Sequence, residues 1–182
     1  MIKATTLEQI EGVPTGNWPN INFSAAATSL RAVAWQRIEK YIARRYSPRA
    51  VYWIVEGPGN WKPPLSPAAI TAVEVVDPGA NALVSASLSV SPLDGSYDLP
   101  ACGPYKFSGT VGTDVTTVPD SVAEAVRRLA DYLAAKPGTP GATSTRIAAG
   151  SIDLRTDRSE SWMAQAMQNS GAADLLRGYR RV

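Results

Sequence analysis

TVPDSVAEAVRRLADYLAAKPG, residues 117–138, is the stretch on which the fold class turns. Val122, Val126, Leu129 and Leu133 recur at helical spacing and make one apolar stripe. Ser121 and Glu124 have the spacing of a capping box, and Pro119 stands near the start. Lys136-Pro137-Gly138 carries the stop signals. The pattern predicts an amphipathic helix over residues 119–135, which must bury its stripe against something else in the chain.

Outward toward the N-terminus the next helical pattern is SAAATSLRAVAWQRIEKYIARRYS. Ala27, Leu30, Ala34, Ile38 and Tyr41 share a stripe, Ser24 is a candidate N-cap and Ser47-Pro48 ends the run. This predicts a helix over 24–46. Arg37, Lys40 and Arg44 then form a basic row on the neighbouring face, either a solvated face or a contact with a partner or DNA. Residues 1–23 show no clear period and read as an extended lead-in with at most one short element.

Between the helices the period changes. AVYWIVEG, AITAVEVV, ALVSASLSV and KFSGTVG are strand candidates separated by Gly/Pro turns such as GPGN and DPGAN, a β-rich region over 49–112. Trp61 and Lys62 fall in the loop GPGNWKPPLSP, where the Trp either lies back over the sheet or makes a contact with another protein. After the second helix, residues 137–158 are rich in Gly, Ser and Thr; only RIAAGSIDL resembles a strand, and the segment reads as a flexible arm. SWMAQAMQNSGAADLLRGYRRV follows, an apolar helix punctuated by Gly171 and ending in Arg residues. The expected division is a domain over 1–136 and an arm with a terminal helix over 137–182.

Composition narrows the chemistry. The chain of 182 residues holds one cysteine and no histidine. That removes the commonest general base and metal ligand, and every Ser–His or Cys–His pair. No phosphate-loop or metal-loop motif occurs, and Glu74, Asp94 and Asp98 are not paired by any pattern. The expectation is no enzyme, no catalytic residues, no cofactor and no metal. No apolar run reaches membrane-spanning length, so no membrane partner is expected. The net charge of +2 is small but uneven. Residues 24–49 hold six Lys/Arg against one Glu, and residues 50–118 hold two against six acids, a pattern that suits contact with complementary faces of other molecules or of the chain's own copies.

In order, IEKYIARRYSPR, WIVEGPGNWKPPLSP, SPLDGSYDLPACGPYKFSGTVG, VPDSVAEAVRRLADYLAA and SWMAQAMQNSGAADLLRGYRR resemble the head–tail connector (adaptor) proteins of long-tailed bacteriophages and phage-derived gene transfer agents. The resemblance spans roughly residues 24–182. It implies an α+β fold: a small, mostly helical connector domain with an inserted β-rich region. It also implies a structural role in the neck of a virion or virus-like particle, assembled in the bacterial cytoplasm. Such proteins form a homo-oligomeric ring, typically of twelve copies, beneath the portal protein. The ring carries a stopper or other neck protein, and DNA passes through its lumen without sequence recognition. On that basis Trp162, Met163, Met167, Leu175, Leu176, Arg177, Tyr179, Arg180 and Arg181 are candidates for portal or subunit contact. Trp61 and Lys62 are candidates for the stopper, and Arg37, Lys40 and Arg44 for a subunit contact or the DNA channel. The alternatives are another neck or tail-completion protein, or a nucleic-acid-binding module built on the basic helix 31–45.

Overall fold

In the computed structural model, residues 4–77, 79–114, 117–135 and 165–180 are described in full, and 144–149 and 152–157 by their backbone. The contacts divide the chain into two units, one of residues 1–19 and 43–115, the other of 20–42 and 116–182. This differs from the expected division at residue 136. The first helical stretch joins the second because their stripes bury each other, whatever lies between them in sequence.

Unit one is built of strands β1 (Thr5–Glu11), β2 (Arg49–Glu56), β3 (Gly59–Trp61), β4 (Ala68–Asp77), β5 (Ala82–Ser85), β6 (Tyr97–Leu99) and β7 (Pro104–Val111). Five of them form one antiparallel sheet in the order β1-β2-β7-β4-β5, and β3 pairs with β6. Alternation in β2 and β7 decides the inner face. Val51, Trp53 and Val55 stand opposite Gly109, Phe107 and Tyr105. Trp61, Leu65, Leu99 and Val111 complete a buried cluster on that side. Gly109 is required there: a side chain would strike the Ala69–Ile70 backbone of β4, next to a register shift between Ile70 and Ala72.

Unit two contains α1 (Arg31–Ile42), entered through a 3₁₀ turn over Thr28–Leu30, and α2 (Asp120–Ala134). It continues with β8 (Ser144–Ala149), β9 (Ile152–Asp157), α3 (Ala166–Asn169) and α4 (Ala172–Leu175), with a 3₁₀ turn over Arg177–Tyr179. All four residues of the predicted α2 stripe are buried, together with Ala125 and Ala130. On α1 the buried set is Ala34, Trp35, Ile38, Glu39 and Ile42, so the apolar face is centred nearer Trp35 than the predicted stripe.

Several expectations need correction. The fold is α+β but not mostly helical, since strand (32%) exceeds helix (28%). The helix expected over 24–46 is shorter at both ends. Ala43 takes a left-handed conformation (φ 53°) that ends it, and Arg44 lies beyond, bridged to Ser66. The capping box on α2 does not form: the N-cap is Pro119 without a side-chain cap. Ser121 instead hydrogen-bonds Tyr179, and Glu124 holds Arg127 and Arg128. In the segment expected to be an arm, β8 and β9 pair as a hairpin. The long candidate ALVSASLSV is a strand only over its first four residues.

Candidate functional site

The residues predicted to meet partners fall into two groups, one in each unit. In unit two the C-terminal stretch lies on α2 rather than standing free. Ala166, Ala172 and Leu176 are fully buried. Gly171 (φ 72°) makes the corner between α3 and α4 that lets both small residues reach the helix. Two polar links fasten the same layer: Ser121 to the Tyr179 hydroxyl at 3.1 Å, and the Asn169 amide donating to the Tyr132 hydroxyl at 3.1 Å.

This packing sorts the predicted contact residues. Leu176 is consumed by the unit's own core, so the expectation that it docks on a partner is revised. Met167, Leu175 and Tyr179 are half-buried, while Arg177 and Arg180 are exposed. Arg177 reaches Asp174 at 3.1 Å, and the Arg180 guanidinium lies 5.5 Å from the centre of the Tyr41 ring. Trp162, Met163 and Arg181 lie outside the described residues. Along α2, Glu124 accepts from Arg128 at 2.6 Å and from Arg127 at 2.7 Å. The Arg128 bond, then the Arg127 bonds, hold its carboxyl below the usual carboxylate range.

The basic row does not survive as a row. Arg37 is half-buried and Lys40 exposed on α1. Arg44 belongs to unit one, exposed, with its guanidinium 5.6 Å from the Tyr46 ring centre.

In unit one Trp61 is a core residue on β3, not an exposed loop Trp. Its ring lies 4.3 Å from that of Phe107 and 5.7 Å from that of Trp53, centre to centre. Its indole N–H donates to Thr6 Oγ1 at 2.9 Å, which satisfies the one polar group it takes inside. Lys62, the next residue, is exposed. The sequence carried half of this outcome: Trp53 and Phe107 lie on strand patterns and aromatic groups on one sheet face bury together, whereas Trp61 stands among Gly and Pro and its short strand is set by pairing with β6.

Three features were not anticipated. One is a partly buried ion cluster, in which Arg45 donates to Glu11 at 2.6 and 2.7 Å and Arg49 stands 3.8 Å away. Burial pushes the Glu11 carboxyl up, but the Arg45 bonds and the charges of Arg45 and Arg49 outweigh it, and it rests below its ordinary value. Long-range partners such as these cannot be read from spacing. The second is a tight turn over Ser91–Ser96, whose Asp94 accepts from Ser96 and whose tip, Leu93, is 96% exposed.

The third, among the described residues, is a pair of open sheet edges. All of β5 and six of the seven residues of β1 are exposed, with Leu7, Ile10, Leu83 and Val84 among the exposed apolar groups. Residues 79–93 carry no charge at all, the trace that the β5 edge leaves in the sequence.

Among the described residues no cluster of His, Cys, Asp or Glu could hold a metal ion, and no helix is long and apolar enough to cross a membrane. No protein-family model and no curated protein matches the sequence. Solved structures do match in fold. A chain from the neck of a native gene transfer agent (GTA) particle, computed with C12 symmetry, aligns at a TM-score of 0.53 and 20% identity, over 88% of this chain and 84% of that one. A chain from the neck of an empty GTA particle, computed with C6 symmetry, gives 0.53 and 19% identity, over 87% and 79%. One from the virion of a native gene transfer agent particle gives 0.52 and 19%, over 87% and 78%. The chain therefore shares its fold with these proteins over most of its length.

Proposed function

We propose that this chain is a structural subunit of the neck of a phage-like particle, a head–tail connector that assembles into a ring beneath the portal protein. The observation that carries this is the fold shared with chains of gene transfer agent necks across both units. A ring is supported by the C12 and C6 symmetry of those assemblies. In such a ring the copies extend the channel through which DNA passes. The uneven charge of the chain suits the head-to-tail contacts that cyclic symmetry requires.

The portal-facing surface we assign is the outer side of the C-terminal layer, with Met167, Leu175, Arg177 and Arg180; Trp162, Met163 and Arg181 are candidates from the sequence alone. Leu176 holds that layer in place from behind. Lys62 is the group of its loop left for the stopper, since Trp61 is already spent in the core. The nucleic-acid-binding alternative loses support because Arg44 is not on the helix with Arg37 and Lys40.

Co-sedimentation with the portal ring of the same particle tests this reading. Removing the whole tail would empty part of the core of unit two, so the informative variant is Leu175→Ser with Arg177→Glu, both clear of the buried layer. The full chain is expected to sediment with the portal ring. The double variant should bind at least about tenfold more weakly, the equivalent of 1.4 kcal/mol, while melting at an unchanged temperature. Failure of the full chain to bind would overturn the connector reading; equal binding by the variant would move the portal contact off this surface.

A further inference from the structure

The five-stranded sheet has two open edges, and they are chemically unlike. Strand β5 presents Ala-Leu-Val-Ser without a charge or a proline, with Leu83 46% exposed. Natural sheets protect such edges with charge, proline or a bulge, because an unprotected edge is a template for another strand. Strand β1 carries a bulge between Thr6 and Glu8, after which Glu8–Glu11 runs regularly against β2. Its open stretch is thus four residues long, the length of β5, and it carries two carboxylates. Among the described residues neither outer edge has a strand partner.

We propose that β5 of one copy pairs with β1 of the next, so that the sheet edges form the subunit contact of the ring; this rests on the ring reading above. Charge pattern selects the pairing. Two β1 edges paired about a two-fold could set Glu8 against its own copy, and like charges directly opposite destabilise a strand pair. A neutral β5 edge carries no such penalty.

Direction agrees with rotation. Four successive antiparallel pairings separate β1 from β5, so the two run the same way. A rotation that closes a ring keeps that direction, and β5 would meet its neighbour's β1 in parallel. A two-fold contact would instead pair β5 with β5 in antiparallel fashion.

Ladder register also puts Ile10 and Leu83 on the same face of the sheet. Ile10 stands opposite Tyr52, Tyr52 opposite Ser108 and Ser108 opposite Ala72. Leu83 pairs with Val76, four residues along β4 from Ala72. Both side chains are more than two-fifths exposed. The ladders set Leu83 four residues, about 13 Å, along the strand direction from Ile10. Strands tilted by about 30° in the ring close that offset over the width of one sheet, so that the joined edges bring the two together. A sheet of five strands at about 4.8 Å is about 24 Å wide, and twelve such widths, the order of the C12 neck, give about 290 Å of circumference. That is ample for an open channel. Only four residues pair per contact, so each junction is weak and assembly is cooperative.

Thiol cross-linking of the full chain tests this, in a Cys102→Ser background that removes the native thiol. The variant Ile10→Cys with Leu83→Cys, treated with a short bis-maleimide in the assembled oligomer, is expected to give a ladder of multimers on a denaturing gel. Either cysteine alone should leave monomers. Dimers from Leu83→Cys alone would overturn the proposal in favour of a two-fold contact. Rings present by light scattering without a ladder from the double variant would overturn it while leaving the ring standing. Absence of any oligomer, with or without portal protein, would defeat the ring reading itself. Independently, Leu83→Lys should raise the concentration needed for assembly by about tenfold at an unchanged melting temperature; unchanged assembly would count against the edge contact.

Discussion

Strands β1 and β2 lie side by side in one sheet and are seven and eight residues long, yet β2 buries every second side chain and β1 almost none. Both contain apolar residues. In β2, Val51, Trp53 and Val55 fall at a spacing of two and all reach the inner face, where β7 continues the layer. In β1, Leu7 and Ile10 are three apart, with a bulge between Thr6 and Glu8, and they end on the surface. The C-terminal layer repeats the contrast between adjacent leucines: Leu176 is fully buried, Leu175 half-exposed. Some apolar groups in this chain hold the fold together; others are left over, and those are where copies and partners can meet.

That division can be broken most violently at Trp61. Trp61→Ala should cost about 4 kcal/mol, the scale for emptying a large aromatic site in a core, seen as a lower denaturant midpoint by circular dichroism. A loss below about 1 kcal/mol would mean the ring is not the keystone of the sheet's inner face. Next, Leu176→Ala should cost about 3 kcal/mol and Leu175→Ala less than about 1. Equal losses at the two positions would erase the contrast in the tail.

The ion cluster gives an effect of middle size with a pH signature. Glu11 keeps a folded value below its ordinary 4.5, so its contribution is fully present above that value. It fades as the pH falls through the folded value. Glu11→Gln should destabilise by about 2 kcal/mol at neutral pH, discounted from a fully buried pair because the carboxylate is partly exposed. Wild type and variant should converge in acid. A gap that stays constant down to the acid transition would refute the pairing with Arg45 and Arg49. The smallest effect belongs to the edge: Ile10→Ser should change the monomer's stability by less than about 0.5 kcal/mol, and a large loss there would mean that β1 is more integral to the sheet than its exposure indicates.

The element types and most of their places were legible from the chain alone. The stripe Val122, Val126, Leu129 and Leu133 and the alternation through Val51, Trp53 and Val55 report a period, and period is a local property. The order of the sequence blocks carried the resemblance to the neck proteins whose fold the chain shares. Tertiary structure alone decided the rest. Ala43 ends α1 and sends Arg44 to the other unit, Trp61 turns inward against Phe107, and Ser121 bonds Tyr179 instead of capping its helix. It also decided that Leu176 is spent inside while the β1 and β5 edges stay open. Each of these depends on which distant residue arrives opposite, and that pairing is settled by packing across the fold, where no spacing along the chain can record it.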